Sequence, residues 1–198
     1  MNSRPATLML VGGAPGSGKS TLAALLAAQF PLALALDIDS IKHSLGGWDE
    51  DLNRSGTQAR RLATAMIAQH LADGHDVVLG QYLARTPFLD ELEQLAAAHG
   101  ARFVEVVLML DEQTLARRLQ GRRERPDRPE QAPNDRFVSP GQAGELIRSI
   151  EEVLTIRPGA RRVDASGSIA ETLAALRALL GAQARGCGAS SPLRRGAR

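Results

Sequence analysis

Residues 13–20 of the chain read Gly13-Ala14-Pro15-Gly16-Ser17-Gly18-Lys19-Ser20, which fits the pattern G-x-x-x-x-G-K-[ST] at every fixed position. The apolar run ATLMLVG at residues 6–12 precedes this loop and predicts a buried strand. Ala- and Leu-rich residues 20–30 follow the loop and predict a helix that ends before Pro31. A strand, a glycine loop and a helix in this order can turn several backbone N–H groups towards one anion.

The residue types in this loop indicate that the anion is a nucleotide phosphate. Gly13, Gly16 and Gly18 allow the backbone to turn inward, and the helix adds its positive end. Lys19 can reach the β and γ phosphates, and the Ser20 hydroxyl can occupy one position on Mg²⁺. We therefore expect ATP or GTP with Mg²⁺. The expected nucleotide-binding residues are Gly13, Ala14, Pro15, Gly16, Ser17, Gly18, Lys19, Ser20 and Thr21.

Strands and helices alternate along the rest of the chain. This alternation indicates an α/β fold with a five-stranded parallel sheet and helices on both faces. Ligands bind at the carboxyl ends of the strands in such sheets, so candidate site residues should follow the strands. Ser168 and Glu171 predict a capping box at the start of the last helix. The further strands are predicted at residues 32–36, 76–80, 103–110 and 161–165.

Composition and charge favour one globular domain over residues 1–183 and a disordered basic tail over residues 184–198. Of the 198 residues, 43% are hydrophobic and 23% charged, which is typical of a folded protein. The net charge is +2, but the tail contains four arginines and no acid, so the rest of the chain carries −2. The body therefore lacks the positive charge that is typical of nucleic-acid-binding proteins.

Cysteine content and hydropathy indicate a cytoplasmic protein. The single cysteine, Cys187, excludes a disulfide scaffold within the chain and fits a reducing compartment. The longest apolar segment, residues 22–36, is interrupted by Gln29 and Pro31 and is too short to span a bilayer. We do not expect a targeting segment at the start, because its apolar run leads directly into the glycine loop.

Two acids follow the second predicted strand. Asp37 and Asp39 lie two residues apart and can converge at the tip of the strand, while Asp39 and Lys42 share a helix face. Transfer of a phosphoryl group requires a carboxylate that orients the acceptor hydroxyl and takes its proton, and a ligand for Mg²⁺. Asp39 and Asp37 could fill these two roles. The alternative is structural: Asp39 caps the following helix, and Asp37 is a polar residue at a strand end.

The sequence resembles the AAA-type P-loop kinases that phosphorylate small molecules or nucleic-acid ends. This group contains polynucleotide kinase, chloramphenicol phosphotransferase, zeta toxins and gluconate kinase. The resemblance covers roughly residues 7–180 and rests on the glycine loop and on Asp39 with Lys42. It implies that the nucleotide is ATP and that Asp39 is the catalytic base. Relatives often carry an arginine three residues after this aspartate, whereas this chain has Lys42, which lacks the bidentate fork of a guanidinium. The resemblance also implies that the turn at residues 163–168 passes near the adenine.

The third strand departs from this family. Many relatives end the strand with an aspartate that holds Mg²⁺ through water, whereas this chain has Gln81 after the sequence VVLG. Either Asp37 and Asp39 take over this role, or the metal is weakly held. We expect Ser20 and Asp37 to be the metal ligands. Asp37, Lys42, Gln81 and Arg85 are the residues expected to bind the acceptor.

Residues 121–140 are rich in Arg, Pro and Asp and form a loop too long for a plain connector. The resemblance implies an arginine-bearing lid that closes over the transferring phosphoryl group. Arg118 and Arg122 are four residues apart on one helix face at the base of this lid, and Arg125 comes next. A guanidinium can stabilise the charge that develops on the phosphoryl oxygens. The alternative is a solvated, salt-bridged loop.

These observations predict a kinase that transfers the γ-phosphoryl group of ATP to a hydroxyl of a small molecule. Lys19, Asp39, Arg118 and Arg122 are the expected catalytic residues. A nucleic-acid 5′-hydroxyl is the alternative acceptor, although an aromatic content of 3% leaves few side chains for base stacking. A regulatory ATPase is the second alternative, favoured by the third strand that lacks an aspartate. No motif identifies the acceptor.

Overall fold

A computed structural model describes residues 4–82, 86–125 and 138–182 of the chain. Its sheet has five strands in the order β2-β3-β1-β4-β5, and every neighbouring pair is parallel. The predicted five-stranded parallel sheet is therefore confirmed. The chain runs from β1 to β2 at one edge of the sheet and from β4 to β5 at the other edge. These connections diverge and open a crevice at the carboxyl ends of β1 and β4. The strands are β1 (Thr7–Gly13), β2 (Leu34–Leu36), β3 (Val77–Gly80), β4 (Arg102–Met109) and β5 (Arg161–Asp164).

Helices cover both faces of this sheet. Along β1, Leu8 and Leu10 pack in the cluster with α3 and α4, while Met9 and Val11 pack in the cluster with α1, α5, α6 and α7. Side chains of a strand point alternately to its two faces, so one short apolar strand supplies both cores. The helices are α1 (Lys19–Ala27), α2 (Ile38–His43), α3 (Leu52–Ala72), α4 (Pro87–Ala98), α5 (Glu112–Glu124), α6 (Ala143–Ile156) and α7 (Ile169–Ala182), with a 3₁₀ turn at Pro140–Gln142.

Aspartate side chains cap the starts of helices α2 and α3. Asp37 caps α2 by accepting the Asp39 N–H at 3.0 Å, so the prediction that Asp39 caps this helix is wrong. Asp51 accepts the N–H groups of residues 53 and 54 at 3.1 and 3.0 Å and starts α3 at Leu52. Residues 52–56 therefore form the start of α3.

The predicted capping box at the start of the last helix, α7, is confirmed. Ser168 and Glu171 form the expected capping box: the Ser168 N–H donates to Glu171 Oε2 at 2.8 Å, and the Glu171 N–H donates to Ser168 Oγ at 3.2 Å. Helix α5 extends through Glu124, so the first four residues of the expected lid are helical. The predicted tail at 184–198 and residues 126–137 of the expected lid lie outside the described residues.

A partly buried ionic network joins α4, β4 and the end of α6. Arg157 directs its Nε to Glu105 Oε2 at 2.9 Å, its Nη1 to Asp90 Oδ1 at 2.9 Å and its Nη2 to Glu93 Oε2 at 2.8 Å. The Glu105 side chain is only 7% exposed. Burial raises the pKa of Glu105 above its ordinary value, against the opposing hydrogen bond and charge of Arg157.

None of the helices in the described ranges has the length and apolar composition needed to cross a membrane.

Candidate active site

The glycine loop that joins β1 to α1 has the conformation that its glycines permit. Gly13, Gly16 and Gly18 have φ angles of 143°, 85° and 95°, which L side chains rarely adopt. A Cβ at Gly13 would lie 2.7 Å from Ser17 Oγ, and one at Gly16 would lie 3.1 Å from Leu119 Cδ2. The loop therefore wraps tightly on itself and packs directly against α5.

Lys19 is the first residue of α1 and is almost fully buried, with 9% of its surface exposed. Its Nζ donates to the Ala14 carbonyl at 2.9 Å, so the ammonium lies inside the loop. Burial and then the positive charge of Arg122 lower the pKa of Lys19 to about 8, against the opposing charges of Asp39 and Asp37. The loop lysine, two carboxylates and an α5 guanidinium are thus within electrostatic reach of one another.

A cavity of about 800 Å³ opens above this loop. Its walls come from the glycine loop, the tips of β2 and β3, helix α5 and the turn between β5 and α7. Ligand sites of this kind commonly measure about 300–1,000 Å³. Of the residues singled out from the sequence, those that line the cavity are Pro15, Gly16, Ser17, Gly18, Lys19, Ser20, Thr21, Asp37, Asp39, Gln81, Arg118, Arg122 and Arg125.

Three of the predicted site residues do not line the cavity, and a fourth lies outside the described residues. Gly13 and Ala14 belong to the loop but do not line the cavity. Lys42 also lies outside the lining, although its Nζ is 3.8 Å from Asp39 Oδ1 and 5.4 Å from the ring centroid of Trp48. Arg85 falls outside the described residues.

Asp39 is surrounded by two residues that the sequence did not point to. The His43 Nδ1 is 2.6 Å from the Asp39 carbonyl oxygen, and the His43 ring meets Trp48 edge-on, with 4.1 Å between the ring centroids. The Asp39 side chain remains 40% exposed. His43 and Trp48 do not line the cavity, and the Asp39 carboxylate is left accessible. No local sequence signal connects residue 48 with residue 39.

The tip of β3 approaches the glycine loop very closely. A Cβ at Gly80 would lie 3.1 Å from both the Lys19 carbonyl oxygen and Ser20 Cα, so a side chain larger than hydrogen would press on the start of α1. Gln81 follows, and its buried Oε1 has no hydrogen-bond partner among the residues that the structure describes. Tyr82 lines the cavity, and its hydroxyl pairs with Ser149 Oγ at 2.8 Å. A glycine at a buried strand end was the sequence signal for this close approach.

The two α5 arginines have different surroundings. Arg118 donates from Nη1 to the Ser17 carbonyl at 3.3 Å and from Nη2 to the Ala165 carbonyl at 2.7 Å. Arg122 lies one helical turn further along, lines the cavity and acts electrostatically on Lys19. Arg125, at the end of α5, also lines the cavity.

The oxygen donors around the cavity fit a magnesium ion bound together with a nucleotide. Ser20, Asp37 and Asp39 all line it. Mg²⁺ prefers oxygen ligands and is usually held by one or two protein carboxylates, with phosphates and waters supplying the rest. The described residues contain no cluster of three or more His, Cys, Asp or Glu that would hold a metal by themselves. These donors therefore suit a metal that arrives with phosphates.

Comparison with known proteins agrees with this arrangement. Residues 8–139, about two thirds of the chain, match the family described as AAA domain. No curated protein matches the sequence.

Solved structures of several kinases have the same fold. A gluconokinase from Sinorhizobium meliloti 1021 is 20% identical, with a TM-score of 0.56 over 91% of this chain and 98% of its own. A deoxyadenosine kinase from M. mycoides is 12% identical, with a TM-score of 0.54 over 89% of this chain and 99% of its own. A chain of the Pnkp1/Rnl/Hen1 RNA repair complex is 17% identical, with a TM-score of 0.60 over 76% of this chain and 46% of its own. The chain therefore has the α/β fold of P-loop kinases.

Proposed function

Because the chain belongs to the AAA domain family that its residues 8–139 match, and has a P-loop kinase-like fold, we propose that it is an ATP-dependent kinase. We propose that it transfers the γ-phosphoryl group of ATP to a hydroxyl group of a small molecule. The observation that carries this proposal is the meeting of Lys19, Asp37, Asp39 and Arg122 around one cavity. A cation for the phosphates, acids for the metal and the acceptor, and a guanidinium for developing charge are the groups that phosphoryl transfer needs.

In this proposal the glycine loop and Lys19 hold the triphosphate. The loop N–H groups and the positive end of α1 favour phosphate oxygens, and the Lys19 ammonium leaves the Ala14 carbonyl to contact the β and γ phosphates. The adenine base of ATP lies towards the turn between β5 and α7, where Gly167, Ile169 and Thr172 line the cavity. Ser20 and Asp37 would hold Mg²⁺, which neutralises part of the phosphate charge when bound.

The transfer itself depends on Asp39 and Arg122. Asp39 accepts the proton of the acceptor hydroxyl. The hydroxyl oxygen forms a bond to the γ phosphorus, while the bond between that phosphorus and the β–γ bridging oxygen breaks. The electron pair of that bond leaves on the β phosphate of ADP. Arg122 donates to the equatorial phosphoryl oxygens, whose charge it stabilises best in a cavity with little water.

A nucleic-acid 5′-hydroxyl is the second candidate acceptor. It is favoured by the shared fold with a chain of an RNA repair complex. Against it, Tyr82 is the one aromatic residue among the described residues that line the cavity, so few rings are available for stacking of bases.

The proposal is tested by incubating the protein with γ-labelled ATP and Mg²⁺, in a desalted cytosolic metabolite extract and in buffer alone. We expect label in a new small molecule only where the extract is present, and the labelled product then identifies the acceptor. A short 5′-hydroxyl oligonucleotide in a parallel reaction tests the second candidate. Label released only as free phosphate under every condition would contradict kinase function and favour a regulatory ATPase.

Nucleotide binding is expected to depend on pH through Lys19. The pKa of Lys19 is lowered to about 8, so the ammonium is present at pH 7 and is lost as the pH rises through 8. We expect the affinity for ATP to fall between pH 7 and pH 9, and binding above pH 8 to be accompanied by proton uptake. Calorimetry in two buffers of different ionisation enthalpy measures both. Lys19→Arg, which stays charged in this range, is the control, and an equal slope in both proteins would contradict the assignment.

A further inference from the structure

Arg118 contacts two separate parts of the cavity wall. Its Nη1 donates to the carbonyl of Ser17 in the glycine loop at 3.3 Å. Its Nη2 donates to the carbonyls of Ala165 and Gly167, in the turn between β5 and α7, at 2.7 and 3.4 Å. The guanidinium therefore bridges backbone segments about 150 residues apart in the sequence, from a half-buried position in the middle of α5.

The contact with the Ser17 carbonyl fixes the direction of a loop N–H group. The peptide that joins Ser17 to Gly18 is planar and trans, so its carbonyl and the N–H of Gly18 point in opposite directions. A guanidinium that holds the carbonyl therefore also holds the Gly18 N–H, which belongs to the N-cap of α1. This N–H is one of the donors that a phosphate would meet at the start of a helix.

The other end of the bridge is a stiff turn. Asp164 Oδ1 accepts the Ser166 N–H at 2.9 Å, and the capping box at Ser168 fixes the next residues. Gly167 has little room, because a Cβ there would lie 2.7 Å from Glu171 Oε2. A ligand group that shifts this turn would therefore move the carbonyls of Ala165 and Gly167 as one unit, and their movement would be passed to Arg118.

We propose that Arg118 is a positioning residue that couples the base-binding turn to the phosphate-binding loop, and that it does not contact the transferred phosphoryl group. Occupation of the turn by the base orders the Arg118 bridge and, through the Ser17 carbonyl, the Gly18 N–H. The phosphate half of the site then binds more tightly. This inference rests on the proposed function, since its ligand is ATP. Lysine cannot replace arginine, because its single nitrogen cannot hold two segments in the fixed geometry of a guanidinium.

The test measures coupling between the two halves of ATP. Calorimetry gives the Kd of inorganic tripolyphosphate with and without saturating adenosine, for the wild type, Arg118→Lys and Arg117→Lys. Arg117 is the matched control, because it is exposed on the same helix, does not line the cavity and donates to Thr114 Oγ1, three residues away, at 3.0 Å. We expect adenosine to tighten tripolyphosphate about tenfold in the wild type and in the control, within the range typical of coupled sites. In Arg118→Lys we expect adenosine to change the Kd of tripolyphosphate less than twofold.

A second readout needs no variant. Hydrogen exchange of residues 14–20 in the wild type should slow when adenosine alone is added. No slowing, no tightening in the wild type, or equal tightening in the wild type and Arg118→Lys would each overturn the coupling proposal. Failure of the wild type to bind either ATP or tripolyphosphate would instead contradict the proposed nucleotide function.

Discussion

Asp39→Asn is expected to reduce phosphoryl transfer by about 10²–10⁴-fold, the usual contribution of a general base, while ATP still binds. Asparagine keeps the size of the side chain and its place in the first turn of α2, but it cannot accept the proton of an acceptor hydroxyl. The lost pair with Lys42 matters little for stability, because its atoms are 3.8 Å apart and Asp39 is 40% exposed. The rate is measured on the acceptor that the labelling experiment identifies.

The controls separate chemistry from binding. Asp49→Asn removes an exposed acid from the nearby loop without touching the cavity and should leave the rate unchanged. ATP affinity is measured at pH 7, because loss of the Asp39 charge removes one influence that raises the pKa of Lys19. Turnover by Asp39→Asn within about twofold of the wild type would contradict the role of Asp39 as the base.

The glycine loop and the sheet could be predicted because their signals are local. The glycines within residues 13–20 determine the conformation of the loop. The apolar runs on either side are recognised because they are short and end at residues that interrupt strands and helices. The helix spacing of Arg118 and Arg122 likewise predicted that both lie on one face of α5, and both line the cavity. The capping box at Ser168 is a four-residue pattern and was predicted for the same reason.

Features that depend on choosing between equivalent residues could not be predicted. Asp37 and Asp39 are equally good caps by residue type, and only the fold shows that Asp37 accepts the first N–H. Gly56 lies inside α3, where its poor helix propensity argues against the helix that Asp51 starts. The partners of Arg118 are carbonyls at residues 17 and 165, and no sequence spacing connects them with residue 118.

Arg157→Ala is expected to lower the free energy of unfolding by about 3–5 kcal/mol, the usual effect of removing one partner from a buried ion pair. Glu105, whose side chain is 7% exposed in the intact protein, would lose its cation, and Asp90 and Glu93 would lose the guanidinium that links them to it. Denaturant unfolding at pH 7 measures the loss. Arg161→Ala, at an exposed position on β5, is the control and should change stability by less than about 0.5 kcal/mol.

The charge of Glu105, rather than lost packing, should account for most of this destabilisation. The double variant Arg157→Ala/Glu105→Gln should therefore be more stable than Arg157→Ala alone, because the amide can be buried without a counter-charge. Burial already raises the pKa of Glu105, and removing Arg157 raises it further. A folded-state pKa above the unfolded value means that the folded state binds the extra proton, so Arg157→Ala should gain stability as the pH falls from 7 towards 5. If the single and double variants unfold at the same denaturant concentration, and the single variant shows no such gain, the network does not stabilise this fold through the charge of Glu105.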